Sequence, residues 1–143
     1  FGHWVFSKAV CFNAPYFGSI SPVITRLETG RCEARIKDRR AVHNHIGTVH
    51  AIALCNLAEL CAGLMTDASL PDGMRWIPKG MTVSYLKRAR GSMHATAIPA
   101  TALVSAAEGY DLPVNVDVHD EAGDKVFHAE IRMWLSPKPG KAA

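Results

Sequence analysis

The run from Val49 to Met65 constrains this chain most, because almost every position in it is apolar or small and Glu59 is its only formal charge. Such a segment reads as a helix that the rest of the fold covers on most sides, since no polar stripe is wide enough to face water. A polar loop with three histidines, Val42-His43-Asn44-His45-Ile46-Gly47-Thr48-Val49-His50, leads straight into it. A lone carboxylate in apolar surroundings is costly unless it is partnered or neutralised. Glu59 is therefore either a satisfied structural group, with Asn56 three residues earlier as its partner, or a working one.

Around this helix the rest of the chain is organised by changes of period. Trp4-Val5-Phe6 to Val10-Cys11-Phe12 has helical spacing and stops at Pro15 and Gly18, so residues 1–20 form a short leading helix. Its aromatic residues either pack or line a lipid-like ligand. From Pro22 to Lys37 the period is two, with Gly30 at the turn, which predicts a hairpin buried on one face. After the helix, ended near Thr66-Asp67 with Pro71-Asp72-Gly73 as the turn, strands are expected at Trp76–Leu86, Ser92–Ala100, Val114–His119 and Val126–Leu135. Pro78 and Gly80 mark the first of these as an edge or bulged strand. The residues 137–143 are expected to fray.

One apolar helix followed by an antiparallel meander predicts an α+β fold whose curved sheet wraps around the helix. At 143 residues and 48% hydrophobic, a single domain spanning 1–143 is expected. Uncovered sheet edges point to pairing with a second copy, as a homodimer or tetramer. The net charge of +3 is mild and no run of basic residues marks a nucleic-acid arm. The four cysteines have no Cys-x-x-Cys spacing, and the amino terminus shows no secretory pattern. Reduced thiols, a soluble protein with no membrane span and a cytoplasmic location are the expectation. Beginning at Phe1, the sequence is expected to lack an upstream piece.

Asn44, His50 and Glu59, at intervals of six and nine, with Leu57-Ala58-Glu59-Leu60 on the helix, resemble the hot-dog-fold thioesterases, particularly the phenylacetyl-CoA thioesterase-like branch. There the loop reads Asn…His-Gly-Gly and the helix reads Leu-Ala-Asp or Leu-Ala-Glu. The stretches Arg39–Ala51 and Pro78–Lys87 are similar to a hot-dog branch known only as a domain of unknown function. The resemblance spans Ser21 to Leu135.

The resemblance implies an acyl-CoA thioesterase with no cofactor beyond the coenzyme A of its substrate. It assigns the backbone N–H of Ala51 to the thioester carbonyl, Glu59 to general-base or nucleophilic catalysis, Asn44 to positioning water or thioester, and His50 to ordering the loop. A free N–H at a helix start is also what elementary electrostatics offers a developing oxyanion. Since nine helical residues make about two and a half turns, His50 and Glu59 point to opposite sides. A site shared between two chains follows.

Ile52 stands where the family has glycine, which narrows the acyl pocket, changes the substrate, or marks a non-catalytic acyl-binding or lipid-binding module. Ile52 and Asn56 on the helix and Lys79, Thr82, Ser84, Lys87, Arg88 and Arg90 on or after the edge strand are the expected substrate contacts. The four cations either hold coenzyme A phosphates or protect a sheet edge by their charge. His43, His45 and His50 lack a fourth ligand at a motif spacing, so no metal site is assigned. A hydratase on the same fold fits less well, because the acid lies in mid-helix.

Overall fold

The computed structural model describes residues 1–140. In chain order the elements are α1 (Gly2–Asn13), α2 (Pro15–Gly18), β1 (Val23–Glu28), β2 (Arg31–Ile36), a 3-10 turn (Arg40–Val42), α3 (Ala51–Ser69), β3 (Met74–Tyr85), β4 (Met93–Pro99), β5 (Tyr110–His119) and β6 (Lys125–Pro137). All six strands pair antiparallel in one sheet of order β1-β2-β4-β5-β6-β3. The long helix α3 packs on one face of it, mainly against β4, β2 and β5. This is the hot-dog arrangement that the sequence led us to expect.

The sheet face under α3 is built of small residues where the helix comes closest. Cys32 and Ala34 on β2, and Ala95 and Ala97 on β4, are all buried, and their short side chains leave room for Leu57, Leu60 and Met65 of the helix. Each of those large side chains, essentially fully removed from water, contributes on the order of 1.5–3 kcal/mol to the fold. The 19-residue helix is apolar enough to cross a bilayer by length and composition, but 56% of its most apolar window is buried inside the fold, as befits a core helix.

Several expectations need correction. The helix begins at Ala51, because Val49 is held in extended backbone by an N–H donated to the carbonyl of Ala89 at 2.8 Å, and it runs on to Ser69. Its covering is incomplete, since Ile52, Glu59 and Asp67 lie exposed along one stripe. The strands do not form a simple meander. The edge strand β3 pairs with the last strand, β6, whereas β4 inserts between β2 and β5. The crossing helix delivers the chain to the far edge of the sheet, and the following loop brings it back. In β1 a bulge at Thr25 breaks the expected alternation, so that Ile24 is buried and Leu27 half-buried three residues later.

β3 is an edge strand with its register shifted between Pro78 and Gly80. Pro78, two residues before Gly80, cannot donate to a ladder, which is tolerated at an edge. Pro137, expected in the frayed tail, belongs to β6, and the Lys138 N–H donates to the Gly73 carbonyl at 2.7 Å. Residues 141–143 lie outside the described part. The leading helix is tied down by Ser7, whose hydroxyl accepts the Ile24 N–H at 2.9 Å and donates to the His3 carbonyl at 2.6 Å. Its aromatics Trp4, Phe6 and Phe12, and Tyr16 of α2, are exposed instead of packed.

Candidate active site

The loop before α3 is organised by Asn44. Its Oδ1 accepts the N–H groups of Ile46 and Thr48, both at 3.1 Å, and its Nδ2 donates to Thr48 Oγ1 at 2.8 Å. Gly47 takes a left-handed conformation (φ 79°) in the turn this creates, a conformation that costs glycine little. Both ends of the Asn44 amide are therefore engaged within its own loop.

His50 closes the loop as the N-cap of α3. Its Nδ1 accepts the Ile52 N–H at 3.0 Å, so Nδ1 carries no proton and Nε2 is free for another partner. Among the described residues no acceptor meets the N–H of Ala51. That amide stands at the positive end of the helix dipole.

The helix start separates two clefts. One of about 390 Å³ is lined by Asn44, Ala51, Leu54, Tyr85, Lys87 and Arg88, among others. The other, of about 260 Å³, is lined by Tyr16, Ser19, His43, His50, Ile52 and Asn56. Asn56 is buried, and its Nδ2 donates to Ser19 Oγ at 3.3 Å while its Oδ1 has no partner. A shielded carbonyl oxygen without a donor is costly, and this one sits in the wall of a cleft beside the helix start. His43 is bonded to Asp38.

Glu59 belongs to neither cleft. It is exposed and lines a third, apolar cleft of about 390 Å³ between α3, the leading helices and β3, with Val10, Phe17, Leu60, Gly63 and Trp76. Burial of a lone charge is thus no argument for this residue in the single chain, and Asn56 does not partner it. The wall is held by Trp76, whose Nε1 donates to Asp67 Oδ1 at 2.6 Å. Eight residues separate Ala51 from Glu59, a rise of roughly 12 Å. One chain does not bring them to the same atom.

The expected basic strip is not continuous. Lys79 is paired with Asp111 at 3.1 Å and lies over the Trp134 ring. Lys87 is bonded to Asp124, which raises its pKa, with Asp120 nearby at 3.8 Å. Only Lys87 and Arg88 reach the cleft beside Ala51, whereas Lys79, Thr82, Ser84 and Arg90 line none of the three clefts. No group of three or more metal-ligating side chains occurs among the described residues. Tyr85, Thr48 and Ser19 were not anticipated as site residues, whereas Tyr16 belongs to the leading aromatics that were read as packing or lining a lipid-like ligand. Of the unanticipated three only Tyr85 carried a signal, its place at the end of the edge strand two residues before Lys87.

Residues 2–135 match the model of the family described as Domain of unknown function (DUF4442). The chain belongs to this family. A crystal structure described as genomics APC5556 is 48% identical to this DUF4442 chain, superposes with a TM-score of 0.84, and the match covers 93% of this chain and 88% of that one. Two more distant proteins share the fold. Thioesterase HI1161 from Haemophilus influenzae is 15% identical with a TM-score of 0.78, over 94% of this chain and 91% of its own. The protein of unknown function PA5026 from Pseudomonas aeruginosa is 22% identical with a TM-score of 0.76, over 87% and 88%. No curated protein matches the chain. HI1161 is described as a thioesterase and PA5026 as a probable one, and at these identities what they share with this chain is the hot-dog fold.

Proposed function

We propose that this chain hydrolyses an acyl-CoA thioester at a site completed by a second copy of itself. The observation that carries the reading is the separation on one helix of two complementary groups: an unpartnered N–H at Ala51 and an exposed carboxylate, Glu59, beside an apolar cleft. A homodimer that sets the helix start of one copy against Glu59 of the other would assemble a reaction centre. The edge strand supports such pairing. β3 is 12 residues long and leaves Ile77, Met81 and Tyr85 exposed, a surface that soluble edges normally blunt or cover.

In this reading Glu59 takes a proton from water as the water oxygen adds to the thioester carbonyl carbon. The carbonyl oxygen becomes an oxyanion facing the Ala51 N–H. Collapse of the tetrahedral species breaks the C–S bond, and the departing thiolate takes the proton held by Glu59. Asn44 and His50 serve by holding the loop and the helix start in place, and the Asn56 Oδ1 is available to a donor on water or substrate. The apolar cleft at Glu59 takes the acyl chain, and Arg88 lies where a negative group of the substrate would pass.

A non-catalytic acyl-binding module is the second reading. It is favoured by Ile52, an exposed β-branched side chain at the helix start, and by the full engagement of the Asn44 side chain. A panel of acyl-CoA thioesters assayed for free thiol, together with sedimentation at micromolar concentration, separates the two. The hydrolase reading requires turnover by a dimer or higher oligomer and a loss of at least about a hundredfold in Glu59→Gln, typical of removing a general base. Because Glu59 is exposed, the variant should melt where the wild type does. Saturable binding without thiol release favours the module, and a folded monomer of 15.5 kDa with full activity would remove the shared site.

A further inference from the structure

A fourth concavity, of about 250 Å³, lies between α1 and the end of β2. Lys8 comes to it from α1, Arg35 from β2, and Lys37 and Arg39 from the segment that follows, with the exposed ring of Trp4 on its wall. No carboxylate lines it. Among the described residues none of these four cations is in a salt bridge, so the cluster concentrates more positive charge than the whole chain's net +3.

The neighbouring acids are already engaged. Glu33 pairs with Arg31 at 3.0 Å, and Asp38 is bonded to His43. Arg39 donates through Nη2 to the Ser19 carbonyl at 2.9 Å, but its Nε is shielded from solvent and has no acceptor. Four cations held together without counter-charge repel one another, and an orphaned guanidinium N–H adds to the cost. Phosphate oxygens answer the repulsion, since they accept charge-assisted bonds from several cations at once. A planar ring next to such a cluster suits a nucleobase.

We propose that this concavity binds a nucleotide bearing two or more phosphate groups, with Lys8, Arg35, Lys37 and Arg39 on the phosphates and Trp4 against the base. The site shares no lining residue with the two clefts at the helix start, though Arg39 joins it to Ser19 of one of them, and it holds whether or not hydrolysis occurs. Its concave shape favours a soluble ligand over a flat lipid surface, although the exposed aromatics of α1 make vesicles a necessary arm of the test.

The probes are adenosine 3′,5′-bisphosphate, coenzyme A, pyrophosphate, and vesicles with and without anionic lipid, measured by calorimetry and by tryptophan emission. Saturable binding of the bisphosphate and of coenzyme A is expected, weakening as salt rises. The double variant Arg35→Ala/Lys37→Ala, at exposed positions that leave the core untouched, should weaken it by about tenfold or more, with the circular dichroism unchanged. Trp4→Phe should abolish the emission change. No saturable nucleotide binding would overturn the proposal. So would binding to anionic vesicles alone.

Discussion

His50 Nδ1 accepts the backbone N–H of Ile52 at 3.0 Å, so the histidine at the head of α3 is spent as a cap and leaves the amide of Ala51 open. Replacing it by Ala removes that cap, which costs about 1 kcal/mol, a fall of roughly 3–5 °C in melting temperature for a domain of this size. Asn in its place keeps an N-cap acceptor and should recover most of the stability. If the helix start polarises the substrate, thiol release by His50→Ala should fall further than the stability loss explains, with Asn again restoring part of it. Equal melting points for wild type and His50→Ala would show that the cap carries no weight.

Asn44 should behave as a loop organiser. Its removal leaves the Ile46 and Thr48 N–H groups without their acceptor, and Thr48 is buried. Asn44→Ala should cost on the order of 1–3 kcal/mol and expose both amides to rapid hydrogen exchange. Asn44→Asp keeps the acceptor and loses only the donation to Thr48 Oγ1, so its exchange pattern should stay near wild type. Unchanged exchange at Thr48 in the Ala variant would contradict this assignment.

Gly63 sets the width of the cleft beside Glu59. A Cβ there would come within 3.2 Å of the Trp76 ring edge, so Gly63→Leu must fill the cleft or push the ring aside. Under the hydrolase reading, KM for long-chain acyl-CoA should rise by about tenfold, the effect of losing roughly 1.4 kcal/mol of uniform binding. Turnover of acetyl-CoA should be retained. A parallel loss on both substrates would mean that the cleft does not hold the acyl chain.

Alkaline stability should depend on Cys61. Its hydrogen bond with Cys32, and then burial, push its thiol well above the free value of 9.0. With the folded pKa raised, the stabilisation is fully present below about pH 9 and is lost as pH rises from there towards the folded value. The urea midpoint should therefore decline above pH 9, and Cys61→Ala should flatten part of that decline. Ellman's reagent should react slowly with Cys61 in the native protein, since the thiolate is the reacting form.

How much of this was legible beforehand follows from the range of the forces involved. The apolar run of α3, the two-residue period of the hairpin around Gly30 and the edge signal of Pro78 and Gly80 are local patterns, and each element formed where its pattern lay. The helix start was missed by two residues because Val49 answers to Ala89, forty positions away, whose carbonyl holds it extended. The strand order was likewise beyond reach, since nothing in the composition of β3 says that its ladder partner is β6.

The same limit governs the site. The residues Asn44, His50 and Glu59 could be picked out from their types and intervals, yet their surroundings could not. Lone charge in an apolar run implied burial for Glu59, but a helix covered by a sheet on one side still has another side, and Glu59 stands there. Lys79 and Lys87 looked like part of one cationic strip until the fold brought Asp111 and Asp124 against them. Sequence by itself determined which segments form elements and which residues carry chemistry, because those depend on neighbours along the chain. Only the tertiary structure decided which charges are neutralised, which amide stays open and which cleft each residue faces, because those depend on groups that the chain brings together from far apart.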